Sequence, residues 1–331
     1  MNKRMLFLVF FFVLLWNLTI MLFRDVIEEK NTSEILVKSA QNTESEKVQE
    51  LIAVYNHENK EVIHMPLEDY IVCVLSAEMP VSYGLEALKA QAVAARTYTI
   101  YCIKNGKEKE HNADVCTDYR HCQAYKSSEE IISVFNQSQA SLIRQAVNET
   151  EGKIITYEGE PINAVYHASS DKMTENAQKV WGSAVPYLVS VPSENESGMP
   201  GFESKLEISL SGFFDKLNYA GYGRNFASDE IYTCKNDSGR VDYISVKTKS
   251  GETVNIPGVQ IRTIFSLRSC SFDINIENDN VFFSVRGYGH GVGMSQYGAK
   301  VMAQSGKTYE QILLHYYADC KIDNLSSYKN F

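Results

Sequence analysis

Proline is scarce, at 7 of 331 residues, and charged residues make up only 22%. With 44% hydrophobic content, that scarcity excludes a disordered or collagen-like chain over most of the length. Positive charge is also short: 32 Lys and Arg stand against 41 Asp and Glu, a formal net charge of −9. Binding nucleic acid through bulk electrostatics needs a basic face, so no nucleic-acid partner is expected. A carbohydrate or peptide ligand remains open. Cysteine is sparse and odd in number, 7 in all, with Cys73, Cys102, Cys234, Cys270 and Cys320 far apart in apolar or mixed surroundings. That is the usage of core thiols rather than of a disulfide framework. No internal repeat is evident.

What is present begins with one long apolar run, Met5–Phe23, broken only by Asn17 and Thr19. As a helix it would reach about 28 Å, close to the hydrocarbon thickness of a bilayer. Lys3 and Arg4 precede it, which leaves the N-terminus cytoplasmic and the remainder outside. A cleaved signal peptide is the alternative, but the run passes into Arg24, Asp25 and Val26 without a small-residue cleavage site. The expected organisation is a cytoplasmic end and membrane anchor over 1–24, a polar stalk over 25–50, and an ectodomain over 51–331 of one or two lobes.

Within the ectodomain, Leu51–Tyr55 and Glu61–Met65 read as a hairpin around Asn56–Lys60. Pro66 opens a helix over Leu67–Glu78, and a second runs over Gly84–Ile103 after the break at Pro80. A polar loop, 105–127, precedes a helix over 128–147, and Lys153–Tyr157 pairs with Ile162–His167 as a second hairpin. Further helices are expected near 209–218, 295–304 and 308–317, the last opened by Thr308 and Gln311 as a capping box, with short strands at 241–248 and 281–285. Helices and hairpins without βαβ alternation predict an α+β fold: central helices packed with antiparallel hairpins around a substrate groove.

On the first helix Leu67, Ile71, Val74, Leu75 and Glu78 share one stripe, whereas Glu68 and Asp69 lie off it, where solvated acids belong. A carboxyl at the end of an apolar stripe, in the last turn, meets desolvation and the negative end of the helix dipole, and both favour its protonated form. Those conditions suit a general acid at neutral pH. An ion pair with Lys89 or Arg96 would equally account for it. The second helix carries Ala87, Ala90, Ala92, Ala94 and Ala95, so neighbours can approach it closely. Its Gln91, Arg96 and Tyr98 either satisfy buried backbone groups or line a polar cleft with Glu78. The loop His111-x4-Cys116-x5-Cys122, with His121 and Asp114 as spares, offers a zinc ligand set, though its spacing matches no standard finger. A Cys116–Cys122 disulfide is the competing reading.

The runs SAEMP (Ser76–Pro80) and EALKAQAVAARTY (Glu86–Tyr98) resemble the signature of the stage II sporulation protein D family. So do YHASSDKMTENAQKVWG (Tyr166–Gly182) with PYLVSV (Pro186–Val191), and GYGHGVGMSQYGA (Gly287–Ala299), in the same order and spanning residues 66–317. Ser169-Ser170-Asp171 departs from the serine/threonine-glycine-glycine stretch common in that family. The resemblance implies a membrane-anchored lytic transglycosylase acting on peptidoglycan glycan strands during forespore engulfment, with Glu78 as the catalytic acid/base. It also implies an engulfment amidase/endopeptidase and a membrane scaffold as partners. One carboxyl suffices for such chemistry, because the nucleophile is the sugar's own C6 hydroxyl.

Gly287, Gly289, Gly291 and Gly293 alternate at period two, which leaves one face of an extended segment bare for a ligand or another strand. With the resemblance, His290, Ser295, Gln296 and Tyr297 become expected substrate contacts, and His167 and Ser169 further ones. Phosphate binding is not expected: no G-x-G-x-x-G register occurs, and Val301 stands where a P-loop ending in Ser305–Thr308 needs glycine. A zinc-dependent cell-wall amidase centred on His111, Cys116 and Cys122, or a non-catalytic wall-binding scaffold, are the competing functions.

Overall fold

The computed structural model describes residues 51–106, 111–193, 195–223 and 225–328. The expected anchor and stalk lie outside the described residues, among which no helix is long and apolar enough to cross a membrane. Leu51–Tyr55 (β1) and Val62–Pro66 (β2) form the expected hairpin. Pro66, at φ −57, leads into Leu67–Glu78 (α1), which ends where Met79 takes the extended backbone that Pro80 demands. Gly84, at φ 92, enters Leu85–Asn105 (α2). Val115–Cys116 (β3) runs parallel to β1 and brings the polar loop back over the end of α1.

The expected helix over 128–147 is two helices, Ser128–Val134 (α3) and Gln137–Asn148 (α4). Asn136 caps α4 through the Gln139 N–H in a full capping box, as Ser127 and Glu130 do for α3. A side chain that caps so well at Asn136 draws the backbone out of the helix there. Lys153–Tyr157 (β4) pairs only with Glu160–Pro161 (β5) across its turn: past Pro161 the Ile162 N–H still reaches the Ile155 carbonyl at 3.2 Å, but the Ile155 N–H donates to Thr97 Oγ1 at 2.9 Å instead of continuing the ladder. Tyr166–His167 (β6) therefore leaves that hairpin, contrary to the sequence pattern, and joins a strand from the far end of the chain. Lys172–Met173 (β7), Ala177–Trp181 (α5) and Pro192–Ser193 (β8) follow.

A second lobe comprises Glu203–Ser209 (β9), Leu210–Tyr219 (α6), Phe226–Lys235 (β10), Val241–Thr248 (β11), Thr253–Pro257 (β12), Gly258–Ile264 (α7), Ser271–Glu277 (β13) and Asn280–Arg286 (β14). Two three-stranded antiparallel sheets, β10-β11-β12 and β13-β14-β9, enclose a core around Phe213, Phe265, Phe272 and Phe283. The chain then returns through Met294–Ser295 (β15), Gln296–Gln304 (α8), Tyr309–Tyr316 (α9) and Lys321–Asn324 (β16). β15 pairs with β6 in parallel, and β16 closes on β4. In the first lobe α2 is the axis: α1, α4, α8, α9 and β4 all pack on it. Ala87, Ala90, Ala92, Ala94 and Ala95 are fully buried there, since a methyl surface lets several neighbours close in at once. The result is an α+β fold with nine helices and several small sheets among the described residues.

Candidate active site

Glu78 closes α1 at the wall of a cleft of about 850 Å³. Its Oε1 accepts the Ala124 N–H at 2.7 Å, and Gln296 Nε2 approaches its backbone oxygen at 3.1 Å and Oε2 at 3.4 Å. Neither cation of the alternative ion-pair reading neutralises it. Arg96 pairs with Glu68, donating Nε to Oε1 at 2.8 Å, and Lys89 pairs with Glu86 and Glu149. Burial raises the Glu78 carboxyl above its ordinary value, while the Ala124 N–H, Tyr166, Gln296 and the nearby Lys126 charge pull it partly back. Glu68, expected to be a solvated acid, instead serves the buried Arg96 and also accepts the Gly152 N–H at 3.3 Å.

Aromatic rings dominate the cleft: Tyr98, Tyr101, Tyr119, Tyr166, Trp181 and Tyr288. His167, His290 and Gln296 also line it. The remaining expected contacts do not. Arg96 is fully buried behind α1, and Gln91 lies beneath Gln296, accepting its Nε2 at 3.4 Å. Ser169 is buried with its backbone bridged to Tyr288. Ser295 caps α8, accepting the Gly298 N–H and donating to Glu196 Oε2 at 2.6 Å. Tyr297 is buried beneath Lys300, whose Nζ sits 4.3 Å from its ring centre. Consecutive residues at a helix start cannot all face one cleft, so of Ser295, Gln296 and Tyr297 only Gln296 does.

The four alternate glycines have φ of 74, 113, 87 and 69, so the segment is a chain of left-handed turns rather than an extended strand. Their bare faces receive this chain, not a ligand. A Cβ at Gly293 would lie 2.1 Å from the Val165 carbonyl oxygen, and one at Gly289 2.7 Å from the His167 Cβ. The glycines thus let the segment carrying His290 press against the one carrying His167, whose rings lie 5.7 Å apart. Burial, then Arg262 and Arg240, push His290 down to about 4, and burial with His290 keeps His167 well below its ordinary value. Both rings are neutral at pH 7.

His111 is not in the candidate metal group: its ring stacks on Tyr55 at 3.8 Å. His121 takes its place beside Cys116 and Cys122, with Nδ1 at 3.4 and 3.6 Å from the two sulfurs. Tetrahedral zinc, with Zn–S of about 2.3 Å and Zn–N of about 2.0–2.1 Å, puts such ligands about 3.6 Å apart. The donor set therefore fits, and the three residues could hold a metal. No disulfide joins any of the seven cysteines, so the alternative Cys116–Cys122 bond is not formed. His121 and Cys122 lie on the cleft wall, and Ala124, two residues on, holds Glu78.

The family profile described as "Stage II sporulation protein" matches residues 55–157. The stage II sporulation proteins D of Bacillus amyloliquefaciens and Bacillus subtilis are each 34% identical to this chain over 84% of it and 80% of their own length. This chain belongs to the stage II sporulation protein D family. It is also similar to the amidase enhancer of Bacillus subtilis, at 29% identity over 74% of the chain and 39% of that protein. In this family member the sequence reading missed Tyr101, Tyr119, Trp181, Arg262 and Tyr288 in the cleft, and Ala124, which acts through its backbone. Trp181 lies within a run quoted above and could have been singled out as an exposed aromatic. Ala124 carries no signal in its side chain.

Proposed function

We propose that this chain is a peptidoglycan lytic transglycosylase that cuts the MurNAc–GlcNAc bond of glycan strands during engulfment, with Glu78 as acid and then base. The observation that carries the reading is a carboxyl without an ion-pair partner among the described residues, raised by burial and opening on an aromatic cleft. Tyrosine and tryptophan faces suit the apolar faces of sugar rings, and the cleft volume is that of a ligand site. Ala124 holds Oε1 at 2.7 Å whereas Gln296 approaches Oε2 only at 3.4 Å, so the reading assigns the proton to Oε2. That proton passes to the glycosidic oxygen as its bond to the muramic C1 breaks. The C6 hydroxyl oxygen of the same ring then bonds to C1 and returns its proton to Oε2, leaving a 1,6-anhydro end without consuming water. Among the described cleft-lining residues Glu78 is the sole carboxyl, which agrees with a nucleophile supplied by the substrate.

Cys116, His121 and Cys122 would hold zinc, which when bound supplies a rigid cross-link in the loop. Held so, the loop delivers the Ala124 N–H to Glu78. The reading also has the domain outside the cell membrane, tethered by the run at 5–23, and working beside an engulfment amidase/endopeptidase and a membrane scaffold. Similarity to an amidase enhancer supports the first of those partners.

A zinc-dependent amidase is the second reading, favoured by His121 and Cys122 both facing the cleft. Product analysis on isolated walls separates the two: anhydro ends support transglycosylation, free stem peptides support the amidase, and binding without products supports a scaffold. Glu78→Gln keeps the shape but not the proton, so anhydro-end release should fall by about 10²–10⁴-fold with glycan binding intact. Because activity requires the protonated form, the wild-type rate should decline as pH rises through the elevated Glu78 value. A folded Glu78→Gln protein that releases anhydro ends at the normal rate would remove Glu78 from the reaction.

A further inference from the structure

The charge inside the cleft runs against the charge of the chain. The sequence carries 41 acids against 32 bases. Yet the described cleft lining holds two arginines, Arg120 and Arg262, and one carboxyl, Glu78, which burial keeps toward its neutral form. Arg120 is already paired with Asp118 at 2.9 Å. Of the lining histidines, His167 and His290 are neutral. Arg262 is therefore left as uncompensated positive charge on the wall that α7 contributes from the second lobe.

Arg262 is also unlike the other arginines of the described residues. Arg96, Arg144 and Arg286 make ion pairs with Glu68, Asp69 and Asp171. Arg240 bonds Ser170 and the Met173 carbonyl, and Arg268 bonds the Gly201 carbonyl. Among the described residues the Arg262 guanidinium alone has no hydrogen bond or ion pair, although it is half-buried and close enough to His290 and His167 to disfavour charge on both. A planar guanidinium with all five N–H groups unspent, in a concave site, is suited to gripping a carboxylate through two parallel hydrogen bonds.

We propose that Arg262 is the anion-reading residue of the Glu78 cleft, binding a carboxylate carried by the glycan. The inference rests on the glycan-cleaving reading. Two sources share that chemistry: the lactyl carboxylate of a muramic residue freed of its stem peptide, and the carboxylates of an attached stem peptide. Through this grip Arg262 positions the strand so that the scissile oxygen meets Glu78, and it acts in binding rather than in proton transfer.

The test measures binding by titration in the Glu78→Gln background, where strands stay intact. Three soluble probes are used: glycan stripped of stem peptides, glycan bearing them, and a chitin oligosaccharide, which has no carboxylate. Adding R262Q should weaken an anionic glycan by about tenfold or more and leave the neutral oligosaccharide unchanged. R262K, which keeps the charge but not the fork, should fall between. In protein with native Glu78, R262Q should raise KM and spare kcat. Loss confined to stripped glycan assigns the lactyl carboxylate, and loss confined to peptide-bearing glycan assigns the stem peptide. Equal binding of anionic glycan by both proteins overturns the proposal, as does an equal loss on the neutral oligosaccharide, which would mark a structural role. If the parent protein binds none of the three, the glycan reading itself fails and this inference with it.

Discussion

Glu68 and Glu78 stand ten residues apart on one helix, and their partners divide their roles. Glu68 meets a fully buried guanidinium, so its charge is held and spent on structure. Glu78 meets an amide N–H, a carboxamide and the Tyr166 hydroxyl but no ion-pair partner among the described residues, and burial still holds its carboxyl above the ordinary value. Removing one member of a buried pair leaves the other charge uncompensated, at a cost of about 3 kcal/mol or more. Glu68→Gln should therefore lower stability to denaturant by about 3 kcal/mol, softened by the hydrogen bonds its amide can keep, with activity per folded molecule unchanged. An unaltered denaturation midpoint would mean that Arg96 finds another acceptor.

At the scale of elements, the loop between β3 and α3 holds the acid in place. Cys116, His121 and Cys122 gather at its bend, Ala124 reaches Glu78, and the Lys126 N–H returns to the Cys73 carbonyl at 3.2 Å. Without a metal the thiols hold their protons: the neighbouring Cys102 thiol and burial push Cys122 up to about 11. Zinc must displace those protons, so metal retention should fall with falling pH. Purified protein should carry close to one zinc, Cys122→Ser and His121→Ala should lose it, and His111→Ala should keep it. Metal analysis of the three variants checks this, and a His111→Ala protein stripped of zinc would restore His111 to the ligand set. The glycine run is the second such element: at Gly293 a Cβ would drive Val165 out of the β6–β15 contact and His167 with it.

For the whole molecule, the buried Glu196 ties distant segments together. It accepts from Ser193 Oγ at 2.5 Å, Ser295 Oγ at 2.6 Å and the Ser170 N–H at 2.9 Å, and Ser193 in turn meets the Tyr316 hydroxyl. Burial pushes this carboxyl up to about 7. A raised acid binds its proton more tightly folded than unfolded, so its stabilising effect is full below the unfolded value of 4.5 and is lost as pH rises through about 7. His290 works in the opposite sense, its contribution being present above 6.5 and lost as pH falls toward about 4. Comparison with Glu196→Gln isolates the first. The glutamine oxygen can keep the Ser170 N–H while its amide faces Ser193 Oγ, which can accept. Between pH 4.5 and 7.5 the wild type should lose up to about 3 kcal/mol relative to this variant, read from denaturation at each pH. A difference that does not change with pH would show that Glu196 is ionised throughout.

Local rules sufficed for what they govern. The stripe on α1, the break at Pro80, the alanines of α2 and the capping box of α9 are set by spacing within a few residues, and each was legible. So was Glu78 as an inward carboxyl. Whether it met a cation was not, because Lys89 and Arg96 are both within reach on α2 and only packing decides that Glu149 and Glu68 take them. His111 and His121 are equivalent candidates in a linear reading, and the stacking of His111 on Tyr55 separates them. β6 looked like the return strand of a hairpin, yet its partner is 128 residues further on in the sequence, as Met294 against Tyr166. The cleft depends on the same long-range closure. Its walls come from α1, α2, the loop at 119–124, β6, α5, α7, the glycine turns and the start of α8, and Arg262 faces Glu78's cleft only because the second lobe folds back onto the first. Periodicity fixes which face of an element turns inward; which inward faces meet is decided by the packing of the entire chain.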